Sequence, residues 1–415
     1  MADRFTDLSA GLAELGCEAL LVLARSSQDP DLAPFLGAAH LGDCYLIAPR
    51  GARPHLAYLT PMERDEAAAT GLALLSPEAL DLIRWVSESP EAADFMAIAV
   101  AKALELAGVA PGRIALAGHG QAGVIVAACS QLMAQGWSFV SGNGLILTLR
   151  KRKTAAELAA IRAAAAGACA AFRAVAGLLA AAVVHRDHRE DGTLWLEGEP
   201  LRVARLRDEI ARVIAGHGLE QPKGNIIAPA EEGGVPHSAG TPDRVLRAGE
   251  SLIVDLYPRG TLWADCTRTF CAGTPSEPLA RAHATVRDAL ETAQLRAAPG
   301  VRGWDLQEAV CTLFDRAGYP TQISTPGTTV GYVHNLGHGV GYDLHEQPIF
   351  KKAAGAKGIL REGDVFTLEP GLYDPTSGSG YGVRLEDLMW LGPDGLESLT
   401  ALPYELDPRA WTLTP

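Results

Sequence analysis

Over residues 1 to about 148, short apolar runs alternate with stretches whose apolar positions recur at helical spacing. Ala19 to Ala24, Tyr45 to Ala48 and Ile114 to Ala117 read as strands, whereas Ala92 to Ala107 and Val124 to Ala134 read as helices. This alternation predicts an α/β domain. The pattern breaks at Ser141-Gly142-Asn143-Gly144, and beyond it Thr154, followed three residues later by Glu157, is a capping-box signature at the head of a long Ala-rich helix. The chain is therefore divided into residues 1–148 and 149–415.

The second part has a different rhythm. Helical patterns lie near Leu201 to Ala215, Leu279 to Ala297 and Trp304 to Ala317; strand patterns lie at Leu252 to Tyr257, Leu262 to Cys271, Val365 to Leu368 and Val383 to Trp390. Helices grouped apart from a hairpin-rich sheet predict an α+β domain. At 415 residues the chain has room for two substantial cores.

Composition narrows the function. A hydrophobic content of 48% with 20% charged residues describes an ordinary globular chain. The net charge of −13 argues against nucleic acid, which demands concentrated Lys and Arg, and favours a small-molecule partner. Seven scattered cysteines with no CxxC pair suit reduced core thiols. The opening residues lack the basic and apolar regions of a signal peptide, and the longest apolar run, Ala174 to Val184, is too short to span a bilayer. A cytoplasmic protein with no membrane partner is expected.

Three motifs invite chemistry and are better read otherwise. Gly118-His119-Gly120-Gln121-Ala122-Gly123 has the form of a dinucleotide fingerprint, but no acidic residue follows about twenty positions on, so a tight turn is expected. His185 and His188 fall in the charged segment HRDHRED with no further ligands nearby, which suits a solvated loop. The single basic run Arg150 to Lys153 suits a helix approach.

The strongest signal lies in the C-terminal part. Asp255, Asp265, His338, Glu369 and Glu386 each sit in a strand-like or Gly-rich context, among apolar residues where an unpaired charge costs several kcal/mol. Asp255 and Asp265 are ten residues apart in two strand segments joined by a turn expected at Pro258-Arg259-Gly260. Side chains alternate faces along a strand, so both carboxylates can point one way. One imidazole with four carboxylates is the donor set of a pair of divalent cations, with Mn the natural occupant and Co, Zn or Fe possible. Such a pair implies metal-assisted hydrolysis. Taken singly each residue has a plain structural role: Asp255 capping a turn, Glu386 pairing with Arg384, His338 as a core histidine. The combination is what points to metal.

These residues, in the segments DCTRT, HNLGHGVG followed by LHE, LEPGLY and VRLED, resemble in order and content the pita-bread metallopeptidases, the superfamily of methionine aminopeptidase, aminopeptidase P, prolidase and creatinase. The resemblance covers essentially the whole chain. It implies an α/β N-terminal creatinase-like domain plus an α+β pita-bread C-terminal catalytic domain, the branch of prolidase, aminopeptidase P and creatinase. It further implies that Asp255 binds one metal, His338 and Glu369 the other, and that Asp265 and Glu386 bridge them. Glu369 would also be the acid/base group, His345 would steady the tetrahedral intermediate, and His334 and His237 would line the substrate pocket. Arg384 would support the site or meet a substrate carboxylate, and Tyr373 would stand behind the ligands. The implied reaction is cleavage of Xaa-Pro bonds in a small proline-containing peptide, by a dipeptidase (prolidase) or, alternatively, an aminopeptidase P on longer peptides. A non-catalytic peptide-binding or protein-binding module is the reading from another class. A homodimer is implied by the resemblance alone. Two departures stand out: Ser238 where prolidases often carry Tyr, and the spacing of ten between the first two acids, one shorter than is commonest.

Overall fold

The computed structural model describes residues 2–89, 91–185, 191–376 and 378–413, in two compact units, Met1–Arg150 and Lys151–Pro415. His188 lies outside the described residues.

In the first unit six strands form one mixed sheet, in the order Ala73–Leu75, His55–Tyr58, Cys44–Pro49, Ala19–Ala24, Arg113–Ala117 and Ser138–Ser141. The strand Ala19–Ala24 is central, antiparallel to Cys44–Pro49 and parallel to Arg113–Ala117. All six of its residues are buried. Leu20, Val22 and Ala24 enter one core with Leu8, Leu12, Ile146 and Leu149. Ala19, Leu21 and Leu23 enter the opposite core with Val100, Leu104, Ala128 and Leu132 of the helices Ala92–Leu106 and Ala122–Met133. A strand covered on both faces by helices reads as a continuous apolar run, which is why ALLVLA shows no alternation.

The Gly118 motif forms the turn between the strand Arg113–Ala117 and the helix Ala122–Met133. Gly118 has φ +103°, and a Cβ there would sit 2.1 Å from the Leu23 carbonyl oxygen, so the glycine serves a close backbone approach. The carboxylates of Asp31 and Asp29 accept from the Gly118 and His119 N–H groups at 3.1 and 2.7 Å, and Arg150 pairs with Asp31 at 3.1 Å. That cluster anchors a turn.

The second unit opens with the helix Ala155–Ala181. Thr154 Oγ1 accepts from the Glu157 N–H at 3.2 Å while the Glu157 carboxylate accepts from the Thr154 N–H at 2.8 Å, completing the capping box. This helix is long and apolar enough to cross a membrane by length and composition, yet half of its most apolar window is buried. Phe172, Val175 and Leu179 pack with Leu206, Ile210 and Ile214 of the helix Val203–Gly216 against the strands Leu252–Leu256 and Cys266–Phe270. A second helix pair, Glu277–Arg296 and Gly303–Arg316, packs through Leu290, Val310 and Phe314 on Phe366, Leu368, Val383 and Leu385.

The segment Val383 to Trp390, expected as one strand, is two. Tyr381–Arg384 pairs with Gly371–Asp374, whereas Asp387–Gly392 pairs with Val365–Leu368 in a different sheet. At the break, the Glu386 N–H donates to the Thr267 carbonyl at 3.0 Å, a non-local bond that periodicity along one segment cannot reveal. Likewise Leu262 to Cys271 pairs as a strand only from Cys266. Residues 257–265 are a loop tightened by the Gly260 N–H donating to the Leu262 carbonyl at 3.0 Å.

Candidate metal centre

The antiparallel register sets Asp255 opposite Thr267. Leu252, Val254, Leu256, Cys266 and Phe270 point to the helix-covered core, so alternation turns Asp255 and Thr267 to the other face, with Asp265 just ahead of the second strand. Thr267 then fixes the next acid: its hydroxyl donates to Glu386 Oε2 at 2.6 Å. Arg268, fully buried, secures the same junction from behind by donating to the Glu386 carbonyl and to Asp387 Oδ1, both at 2.6 Å.

His338 and Glu369 arrive on neighbouring strands. Thr367 Oγ1 accepts from the His338 N–H at 3.1 Å and its hydroxyl points to Glu369 Oε1 at 3.4 Å. A Cβ on Gly339 would lie 1.9 Å from the Gln347 carbonyl oxygen, so only glycine lets the chain beside His338 run so close. His338 Nε2 comes to rest 3.5 Å from Asp265 Oδ2 and 3.4 Å from Glu369 Oε1. Ligand atoms of Asp265, His338 and Glu386 all lie within 4.8 Å of one another.

Burial and mutual repulsion dominate the electrostatics of this cluster. Burial pushes the carboxyls of Asp265 and Glu386 well above the usual range, and the neighbouring acids push them further. Burial also raises Asp255, despite the Arg384 guanidinium, and lifts Glu369 to about 7. Burial, reinforced by His345, drops His338 to about 3 and keeps it neutral. Its Nδ1 faces the Gly339 carbonyl at 3.2 Å and carries the proton, so the Nε2 lone pair points at two carboxylates. Asp255 Oδ1 is buried with no hydrogen-bond partner. Lone pairs turned on one another repel; cations set among them convert the repulsion into coordination. The donor set is one nitrogen and otherwise oxygen, and it fits divalent cations.

The other predicted residues surround the cluster. Arg384 is 3% exposed and donates from Nη2 to Asp255 Oδ2 at 2.6 Å, from Nε to Thr267 Oγ1 at 3.0 Å, and from Nη1 to the Tyr373 hydroxyl at 3.0 Å and the Pro236 carbonyl at 3.2 Å. Of the two roles expected for Arg384, this geometry is the supporting one. Tyr373 donates onward to His334 Nε2 at 2.8 Å, since His334 Nδ1 gives its proton to the Asn335 carbonyl at 2.8 Å. His334 Nδ1 is 3.9 Å from Glu369 Oε2, and burial together with Arg384 lowers that imidazole to about 3. The ring of His345 meets that of His338 edge-on at 4.2 Å. His237 is exposed and lies within electrostatic range of Asp255, His334 and His345. All nine candidate residues therefore converge.

Sequence reasoning passed over Thr367 and the pair Lys153–Glu346. Thr367 lies two residues before Glu369 on one strand face, a signal alternation would have provided. Lys153 Nζ meets Glu346 Oε1 at 2.5 Å with both side chains fully buried, tying the helix approach to the residue after His345. The basic run around Lys153 carries no hint of that partner, 193 residues away.

Comparisons with known proteins place this geometry. The profile of metallopeptidase family M24 matches residues 159–393, more than half of the chain. The Xaa-Pro dipeptidase of Pyrococcus furiosus is 32% identical over 195 residues, 46% of this chain and 51% of that protein. The probable dipeptidase PepE of Mycobacterium tuberculosis is 31% identical over 201 residues, 48% of this chain and 49% of its own. The chain thus spans about half the length of the curated relatives it matches. Among solved structures, the prolidase from Pyrococcus horikoshii OT3 superposes with TM-score 0.73 at 21% identity, covering 97% of this chain and 99% of that one. The X-Pro aminopeptidase from Thermotoga maritima superposes with TM-score 0.70 at 19% identity, covering 97% and 98%. At these identities the likeness establishes the fold, an N-terminal α/β domain followed by the pita-bread domain.

Proposed function

We propose, from the premise that this chain belongs to metallopeptidase family M24, that it is a two-metal hydrolase of Xaa-Pro bonds and specifically an Xaa-Pro dipeptidase. The observation that carries this reading is the buried cluster itself: the carboxylates of Asp265, Glu369 and Glu386 gather at the lone pair of the neutral His338 imidazole, and Asp255 Oδ1 is buried without a hydrogen-bond partner. The dipeptidase assignment also draws on the Pyrococcus furiosus relative, an Xaa-Pro dipeptidase.

Asp255 would hold one cation, His338 and Glu369 the other, with Asp265 and Glu386 shared between them. Two divalent cations bound there supply a Lewis acid for the scissile carbonyl and lower the pKa of the attacking water. Mn suits this oxygen-rich donor set. The protein's own groups do the rest. The Glu369 carboxylate accepts a proton from the attacking water and delivers it to the departing prolyl nitrogen. His345 presents a ring N–H to the developing oxyanion, while His334, held by Tyr373, and His237 flank the substrate. Arg384 aims Asp255 and opposes the rise in its pKa that burial imposes. Proline's tertiary amide has no N–H for a general protease to grip, so a site acting on the carbonyl oxygen is suited to this bond. The protein works as a cytoplasmic homodimer in this reading, and residues 1–148 and 149–415 are its creatinase-like and catalytic domains.

Purified protein loaded with Mn is expected to release proline from an Xaa-Pro dipeptide, to lose that activity on chelation and to regain it on adding metal back. Faster turnover of Xaa-Pro-Yaa than of Xaa-Pro would replace the dipeptidase by an aminopeptidase. Fully metallated protein that cleaves neither would overturn the reading.

A further inference from the structure

We infer that Lys223, held between Trp263 and Asp343, binds the terminal carboxylate of a dipeptide substrate and thereby sets a preference for dipeptides over longer chains. This inference rests on the Xaa-Pro hydrolase reading and adds the group that measures substrate length.

A dipeptide differs from every longer substrate in one chemical respect on the leaving side: a full negative charge two bonds from the scissile nitrogen. Recognising it takes a cation close to the metals whose hydrogen bonds are not already committed. Arg384 does not qualify, because four of its N–H groups are already bonded within the protein and withdrawing them would strand Asp255. Arg207 donates to the backbone carbonyls of Ala239 and Gly240. Arg259 stacks on Trp263 and pairs with Glu220 at 3.4 Å.

Lys223 is placed differently. It lies just before the strand Asn225–Pro229, which pairs with the strand carrying Asp255. Its Nζ sits 5.1 Å from the Trp263 ring and 3.6 Å from Asp343 Oδ1. Trp263 is two residues before Asp265, and Asp343 is two residues before His345, so Lys223 stands where the segments bearing a metal-cluster acid and a pocket histidine come together. Burial is the main cause that lowers the His345 imidazole, and the Lys223 charge adds to it, which places the two groups within electrostatic reach. The side chain remains 47% exposed, and the contact to Asp343 is long for an ion pair, between side chains both open to solvent. An ammonium on a four-carbon stem, steadied by an indole face and loosely held by one carboxylate, can swing onto a second carboxylate. A longer peptide places a neutral amide at that point and gains nothing from it.

The test uses metal-loaded full-length protein with an Xaa-Pro dipeptide and the same dipeptide as its C-terminal amide. In wild type the acid is favoured over the amide. In Lys223→Met the ratio of kcat/KM for acid over amide is expected to fall about tenfold or more, through KM for the acid, as loss of a charged hydrogen bond implies. Lys223→Arg should restore most of it. If the amide is too poor a substrate, competitive inhibition by proline against prolinamide reads the same ratio. An unchanged ratio in Lys223→Met, with wild type still cleaving the dipeptide, overturns the role of Lys223 and leaves the hydrolase reading intact. Wild type that cleaves neither compound overturns both.

Discussion

Three of the acids at the centre are aimed by a neighbouring donor: Asp255 by Arg384, Glu386 by Thr267 and Glu369 by Thr367. Thr267 is the most economical case: one hydroxyl donates to Glu386 and accepts from Arg384, joining the two sides of the cluster. Thr267→Ala should leave the fold intact, since the side chain is small and the strand pairing is made by backbone. Metal affinity is expected to fall about 10-fold to 100-fold, the usual cost of removing a group that orients a ligand. Titration of metal-stripped protein with Mn reads this directly, and an unchanged affinity would show that Glu386 needs no orienting hydroxyl. At this scale the sequence was informative about residue type and poor about partnership. Asp255, Asp265, His338, Glu369 and Glu386 announced themselves as polar residues in apolar settings. The hydrogen bonds that aim them come from residues such as Thr367, ordinary in any strand.

At the scale of elements, helix termini and turns were the most legible, because their chemistry is local. Thr154 and Glu157 specify a helix start within four residues, and both reciprocal hydrogen bonds are present. Thr154→Ala should cost about 1 kcal/mol of stability, measured as a lower denaturant midpoint with unchanged slope. A loss well above that would mean that Thr154 also positions Lys153, its neighbour in the buried pair with Glu346. The strand Ala19–Ala24 and the helix starting at Ala92 were legible for another reason, their uniform patterns. The segment Val383 to Trp390 reads as one strand because apolar residues recur on both sides of Glu386-Asp387 and conceal a change of sheet. What divides it is the Glu386 backbone meeting Thr267, 119 residues away.

For the molecule as a whole, the acid cluster stores repulsion that bound cations would relieve. The carboxyls of Asp255, Asp265, Glu369 and Glu386 are all raised in the folded state, Glu369 to about 7. Without metal, the fold keeps protons that the unfolded chain releases above about pH 4. Stability from this source is complete below that pH and declines as pH rises toward about 7, by about 1.4 kcal/mol per pH unit for each proton retained. Metal-stripped protein should therefore melt at progressively lower temperature from pH 4.5 to 7, whereas metal-loaded protein should not. At free metal one hundred times its Kd, each occupied site adds about 2.7 kcal/mol. Calorimetry of both forms across this range is the check; parallel pH profiles would mean that the carboxylates are not the metal donors.

Sequence by itself determined the α/β and α+β character of the two parts, the capping-box helix and the identities of the candidate ligands. These rest on short-range physics: periodicity of burial, cap chemistry and the high cost of an acid among apolar neighbours. Tertiary structure decided which atoms face one another. It committed Arg384 to Asp255, Tyr373 and Thr267, joined Lys153 to Glu346 across 193 residues, and set Lys223 beside Trp263 and Asp343. Such pairings arise only when distant segments pack, because a hydrogen bond depends on a few ångströms and a direction, and neither is encoded in spacing along the chain.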